Sequence, residues 1–293
     1  MLCEDYVAAS TIEEALATLA SLRGEARIIA GGTDLAIQLQ RRERTGIKCL
    51  VDITRIPGLD EVRVKGPQIT VGAATTFTHL SSSPQIQHLA AALAEAAAWV
   101  GSPQIRNVGT LAGNVVNAQP AADGSIALLA MDAEAQIANL TGRQWVPVSS
   151  LYLSPGVSRV DPTSEMITAL RFRAHGPREG SAFERMARRR ALSLPLINVA
   201  AYVLLDADCT RMREVRIALG PVAPVPFRAL QAEAVLKGQL IADDVLTEAI
   251  ETVVRESKPR SSLLRAGKEY RQELIRTLTR QAILRAITRA KGR

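Results

Sequence analysis

Ile29-Ala30-Gly31-Gly32-Thr33-Asp34-Leu35 is the stretch on which the reading of this 293-residue chain turns. The residues leading into it, Arg27-Ile28-Ile29-Ala30, read as a short buried strand, and a helix is expected from about Asp34 to Arg42. Strand, glycine turn and helix start is the order that aims free backbone N–H groups at an anion. Gly31 and Gly32 keep side chains out of the way, and Thr33 adds a hydroxyl. Farther along, Gln104-Ile105-Arg106-Asn107-Val108-Gly109-Thr110-Leu111-Ala112-Gly113-Asn114, continuing to Ala121-Ala122-Asp123, reads as a second tight loop of small residues, hydroxyls and amides. One such loop is a weak sign. Two point to a large dianionic ligand, such as a dinucleotide, held from two sides.

Neither stretch fits the G-x-G-x-x-G pattern of the doubly wound dinucleotide folds or the Walker-type phosphate loop. What remains is a different cradle. In it Thr110 offers a hydroxyl, Gly113 allows close approach, Asn114 offers an amide, and Asp123 accepts from a ribose hydroxyl or orders the loop. A structural role stands beside each of these. Gly31-Gly32 also suits a plain tight turn, and Asn114 or Asp123 a helix cap.

Outward from these loops, Thr11 to Leu22 carries Ile12, Ala15, Leu16, Leu19 and Leu22 on one helical face, with Ser10 or Thr11 as cap and Glu13 or Glu14 in capping-box register. Strands are expected at Cys49–Ile53, at Val62–Val64 and Gln68–Val71 around a hairpin turn, at Ala135–Asn139 and Gln144–Val148, and at Met166–Phe172. Helices are expected at Thr78–Ser81, Ile86–Trp99 and Asp123–Met131. The turn-rich stretch Ala174 to Gly180 marks a domain boundary, giving units 1–176 and 177–293, the first split again near 55–60. Beyond it, strands at Phe183–Arg188, Asn198–Leu205 and Val215–Ala218 precede helices at Ala229–Lys237, Asp243–Glu256 and Glu269–Ala290. Strands before helices make this half α+β.

Composition narrows the function classes. Aromatic residues are 3% of the chain, which leaves few stacking platforms and counts against single-stranded nucleic acid despite a net charge of +7. The densest basic runs are Arg188-Arg189-Arg190 and Arg276 to Arg293, and the latter reads as the solvated face of a terminal helix. A positive surface also suits an acidic partner subunit or an anionic cofactor. Cys3, Cys49 and Cys209 lie far apart and form no CxxC, and His79, His88 and His175 make no helical ligand pair, so no metal or iron–sulfur site is expected within the chain. No apolar run approaches the roughly 18 residues of a membrane span. Met1-Leu2-Cys3-Glu4-Asp5-Tyr6 lacks the features of a signal peptide, so a cytoplasmic location is expected.

The quoted motifs, taken together, resemble the flavoprotein (medium) subunit of molybdenum hydroxylases. This is the family of carbon monoxide dehydrogenase, aromatic-ring hydroxylases and the central domain of xanthine dehydrogenase. Ala30 to Leu35 is similar to that family's first FAD loop. Gln104 to Asn107, Thr110 to Asn114 and Pro120 to Asp123 are similar to its second. Phe183 to Ala200 resembles the opening of its C-terminal domain, Ile217 to Arg228 the passage from sheet to helix, and Glu269-Tyr270-Arg271 its last helix. The motifs follow the family's order over nearly the whole chain.

The resemblance implies an α+β fold, a two-subdomain FAD-binding domain of the vanillyl-alcohol-oxidase type followed by a small antiparallel sheet with a helix bundle. It implies FAD contacts from Ile29, Ala30, Gly31, Gly32, Thr33, Asp34 and Leu35, and from Thr110, Leu111, Ala112, Gly113 and Asn114 around the pyrophosphate. It further implies Asp123 beside the ribitol or ribose, Val100 near the ring, Met166 and Ile167 near the adenine, and Arg185 as a cation near the isoalloxazine. Molybdopterin and a 2Fe–2S cluster are then expected on partner chains only, an iron–sulfur small subunit and a molybdopterin large subunit, in a dimer of heterotrimers. The chain would pass electrons between the iron–sulfur subunit and an external acceptor. Two other classes stand beside this one, a self-sufficient flavin oxidoreductase and an FAD-free structural subunit. The departures from the pattern are Ala112 for a usual glycine, Gln119 for Asp or Ser, Arg185 for a lysine, Ser193 for a frequent Asp, and Pro195, which removes a backbone donor.

Overall fold

In the computed structural model the chain opens with β1 (Asp5–Ala8), α1 (Ile12–Ser21), β2 (Ala26–Ile29), α2 (Leu35–Gln40) and β3 (Cys49–Asp52). The structure describes residues 3–189, 191–259 and 266–293. Met1, Leu2 and Arg190 of the basic run lie outside the described residues. The three strands form a parallel sheet in the order β1-β3-β2, with Val51 opposite both Val7 and Ile28. Thr11 Oγ1 accepts from the Glu14 N–H at 3.1 Å, and the Glu14 carboxylate reaches back to the Ser10 N–H at 2.7 Å. That exchange starts α1 and turns Ala15, Leu16 and Leu19 inward.

A second group follows. It comprises β4 (Val62–Lys65), β5 (Gln68–Gly72), α3 (Phe77–Ser82), α4 (Pro84–Leu89), α5 (Ala91–Trp99), α6 (Pro103–Val108), α7 (Leu111–Val116) and α8 (Asp123–Ala130). It continues with β6 (Glu134–Asn139), β7 (Gly142–Pro147), a short 3-10 turn, β8 (Tyr152–Ser154), β9 (Val157–Ser158) and β10 (Met166–Arg173). Five of these strands form an antiparallel sheet in the order β4-β5-β10-β6-β7. One apolar core joins it to the parallel sheet, running from Leu16 and Val51 to Leu80, Leu93, Ile126 and Leu170.

Two expectations are corrected here. The single helix over Ile86–Trp99 is two, broken at Ala90, whose φ of −156° is not helical. The start signal for α5 is absent from the local sequence because it comes from elsewhere: Ser181 Oγ accepts from the Ala92 N–H at 3.0 Å, across 89 positions. The second glycine-rich stretch is also no tight loop. It forms α6 and α7, capped by Ser102 Oγ on the Ile105 N–H and by Thr110 Oγ1 on the Gly113 N–H.

The remainder forms β11 (Glu179–Ala187), β12 (Pro195–Leu205), β13 (Met212–Gly220) and β14 (Phe227–Arg228), then α9 (Leu230–Leu236), α10 (Asp243–Glu256) and α11 (Lys268–Lys291). The sheet is antiparallel in the order β11-β12-β13-β14. β12 is apolar along nearly its whole length, Leu196 to Leu205, because α11 covers one part of this sheet and α5 and α8 of the first half touch another. Ile197, Val199, Ile217, Leu236, Val253 and Ile283 belong to this second core. The α+β architecture is the one expected.

Polar groups fasten the halves together. Glu95 Oε2 of α5 accepts from the Phe183 N–H at 2.8 Å, and its other oxygen pairs with Arg285 and Arg289 of α11. Arg285 also pairs with Glu184. α5, β11 and α11 are thus tied together by four charge-assisted contacts.

Candidate functional site

β2 delivers the chain into the first glycine turn. Gly32 takes a φ of +66°, a left-handed conformation that carries little penalty only for glycine. Gly31 has a different constraint. A Cβ there would overlap the Val108 carbonyl and stand 2.8 Å from the Gly109 nitrogen. The first turn therefore lies directly on the end of α6, and the two glycine-rich stretches form one continuous wall. Hydrogen bonds hold the second stretch in place: Phe77 N–H to Gly109 O at 3.0 Å, and Leu111 N–H to Thr75 O at 3.3 Å.

Along this wall runs a cleft of about 550 Å³, within the size range of small-molecule and cofactor sites. Ile29, Ala30, Gly31, Gly32, Thr33, Asp34, Leu35, Val100, Thr110, Ala112, Gly113, Asn114, Met166 and Ile167 all line it. Among the described residues, the backbone N–H groups of Gly32, Thr33, Leu35 and Ala112 have no protein acceptor. Ala112 is the second residue of α7, so its methyl group sits on ordinary helical backbone and costs no strain. Burial raises the Asp34 carboxyl above the usual range, against a hydrogen bond from Asn117. Asn114 Oδ1 accepts from the Ser125 N–H at 3.2 Å and so caps α8, while Asn114 still borders the cleft.

Leu111, Asp123 and Arg185 are not brought to the cleft. Leu111 is fully buried in the core. A Cβ on Gly124 would meet its Cδ1 at 2.7 Å, so Leu111 packs α7 on α8. Asp123, at the start of α8, bonds to Arg185 Nε of β11 at 3.2 Å and to Asn198 Nδ2 of β12 at 2.6 Å. The Arg185 side chain is 4% exposed, donates also to the Ser193 carbonyl, and lies 5.4 Å from the Trp99 ring centroid. Burial pushes the Asp123 carboxyl up to about 6, against the pull of the Arg185 guanidinium. At neutral pH the two form a buried ion pair between α8 and β11.

The cleft also gathers residues beyond the expected FAD contacts, of which Ile105 and Gly109 belong to the second glycine-rich stretch itself. Phe77, Ile105 and Gly109 close it near Val100, and Gly156, Val157 and Ser158 of the β8–β9 hairpin border it. Arg27, Gln38, Arg44, Pro162 and Glu165 line it as well. The fold brings these in from separate segments. The nearest thing to a local signal is the basic run Arg41-Arg42-Glu43-Arg44. Apolar walls from Ile28, Ile53, Val100 and Ile105, with unpartnered N–H groups between them, suit a diphosphate flanked by two planar groups. Among the described residues, no three His, Cys, Asp or Glu side chains converge as metal ligands, and no helix is long and apolar enough to cross a membrane.

Comparison with known proteins finds two matching domain families. The pattern of the family described as the FAD binding domain in molybdopterin dehydrogenase matches residues 2–172, and that of the CO dehydrogenase flavoprotein C-terminal domain matches residues 181–286. The chain is 34% identical over 291 residues to the xanthine dehydrogenase FAD-binding subunit of Escherichia coli O157:H7, covering 98% of this chain and 97% of that one. It is 33% identical over 290 residues to the 6-hydroxypseudooxynicotine dehydrogenase complex subunit alpha of Paenarthrobacter nicotinovorans, covering 98% and 95%. Among solved structures, carbon monoxide dehydrogenase from Hydrogenophaga pseudoflava superposes with a TM-score of 0.91 at 28% identity, covering 98% of each chain.

Proposed function

The chain belongs to the FAD-binding medium subunits of the molybdenum hydroxylases, and from that premise we propose that it carries one FAD and relays electrons between a 2Fe–2S partner subunit and an external acceptor. The observation that carries the reading is the joined wall, where Gly31 lies against Val108 and Gly109 and unpartnered N–H groups face one cleft. Gly32, Thr33, Leu35 and Ala112 would hold the diphosphate by their backbone N–H groups, with Thr33 and Thr110 hydroxyls beside them. Val100 and Ile105 would seat the ring, and Met166 and Ile167 the adenine end. Bound FAD supplies both one-electron and two-electron redox chemistry; binding, orientation and exclusion of water fall to the protein.

The substrate would be hydroxylated on a molybdopterin-bearing large subunit, in a dimer of heterotrimers. Arg185 is neutralised by Asp123, so its role in this reading is to lock β11 onto α8 behind the ring end of the cleft. The test is rapid mixing of the flavin-loaded chain with the substrate of its complex, with and without the partner subunits. The flavin absorbance should bleach within the turnover time only when the partners are present. Bleaching at full rate by the chain alone would assign it a complete oxidoreductase activity instead.

A further inference from the structure

Arg27 and Arg44 bring two guanidinium groups to the cleft that the glycine wall does not use. Arg27 lies in β2 ahead of the turn, and Arg44 in the loop after α2; both line the cleft, with Gln38, Pro162 and Glu165. This end of the cleft adjoins the turn that leads into Met166 and Ile167: a Cβ on Gly24 would stand 3.6 Å from Thr163 Cγ2, and Asp161 is the acidic group that acts on Arg27. Arg27 Nη1 donates to the carbonyls of Gly24 and Ala26 at 2.7 and 2.6 Å, while its buried Nε has no partner among the described residues. Arg44 Nε donates to Gln38 Oε1 at 2.7 Å, which steadies the guanidinium and leaves its terminal nitrogens outside that bond. Burial and the like charge of Arg44 both disfavour the Arg27 cation. Asp161 offsets part of this for Arg27, yet the like charge of Arg44 and the buried Nε–H remain costs at this end of the cleft.

We propose that Arg27 and Arg44 form the subsite for the adenosine monophosphate half of the dinucleotide, with Arg44 the residue that makes the cleft select FAD over FMN. The proposal rests on the FAD reading above. A guanidinium stacks on an aromatic face and binds phosphate oxygens through paired N–H groups. Adenine and the second phosphate offer both partners. FMN has neither, so at its best fit it leaves this end of the cleft unanswered.

The flavin-free full-length chain, titrated with FAD, FMN and ADP, decides the matter, with flavin fluorescence following the first two and calorimetry the third. Arg44→Gln should weaken FAD and ADP each by about tenfold, the scale of one lost charge-assisted contact, and leave FMN unchanged. Gln38→Ala should give the same pattern more weakly, because it frees the guanidinium without removing it. Equal losses for FAD and FMN, or unchanged FAD and ADP, would overturn the proposal. If FMN binds neither protein, the ADP arm alone decides. A wild-type chain that takes ADP through Arg44 but refuses FAD would remove the flavin reading and keep the arginine subsite; one that takes none of the three removes both.

Discussion

Gly31→Ala should leave a folded protein that no longer retains flavin. The added methyl has nowhere to go, because its Cβ would overlap the Val108 carbonyl and press on the Gly109 nitrogen. Both are backbone, so no side-chain rotation relieves the clash, and the two stretches must part. The cost is at the upper end for overpacking, about 3 kcal/mol, and it falls on the wall that holds the ligand. Spent on binding, that is a loss of roughly a hundredfold in FAD affinity. Gly66→Ala is the control. It has a φ of +59° but nothing within 4 Å of a new Cβ, so it strains a surface hairpin and leaves the wall alone. Flavin-to-protein ratio after gel filtration, with circular dichroism for folding, separates the two. A Gly31→Ala protein that stays fully yellow would show that the loops do not need to touch.

Asp123→Ala should be the most destabilising single change at the junction of the halves. It removes the carboxylate from a guanidinium that is 4% exposed and whose other acceptor is the Ser193 carbonyl. Breaking a buried pair in this way costs about 3–5 kcal/mol, mostly because the surviving charge stays buried. Removing both charges tells a different story. In Asp123→Leu with Arg185→Met, no charge remains to be solvated, and most of the lost stability should return. Urea unfolding of the three proteins reads this directly. A loss below about 1 kcal/mol in the single variant would mean the pair is open to water. A double variant no better than the single one would mean that packing at α8 and β11, not charge, holds the junction.

Much of the fold was legible because its signals are local. The period of Ile12, Ala15, Leu16 and Leu19, the Thr11 cap, and the hairpin turns at Gly66 and Gly142 each act over a few residues. The first glycine turn was legible for the same reason. The break at Ala90 was not, since the hydroxyl that starts α5 belongs to Ser181. The roles of Asp123 and Arg185 were hidden for a related reason. Each is a plausible ligand group taken alone, and only the fold reveals that they meet across 62 positions. Ala112 is the converse case. It looked like an obstacle while the stretch was read as a loop needing glycine, and as the second residue of α7 it is ordinary. Arg27 and Arg44 gave no sign of belonging to one cleft, because the chain between them turns through α2 before it returns.

The most direct measurement is amide hydrogen exchange at single-residue resolution, with and without saturating FAD. Among the described residues the N–H groups of Gly32, Thr33, Leu35 and Ala112 have no protein acceptor, so in the free chain they should exchange quickly. With FAD bound, all four should slow together, from both stretches at once. Tight FAD binding that leaves either set exchanging as before would contradict a diphosphate held between the two stretches.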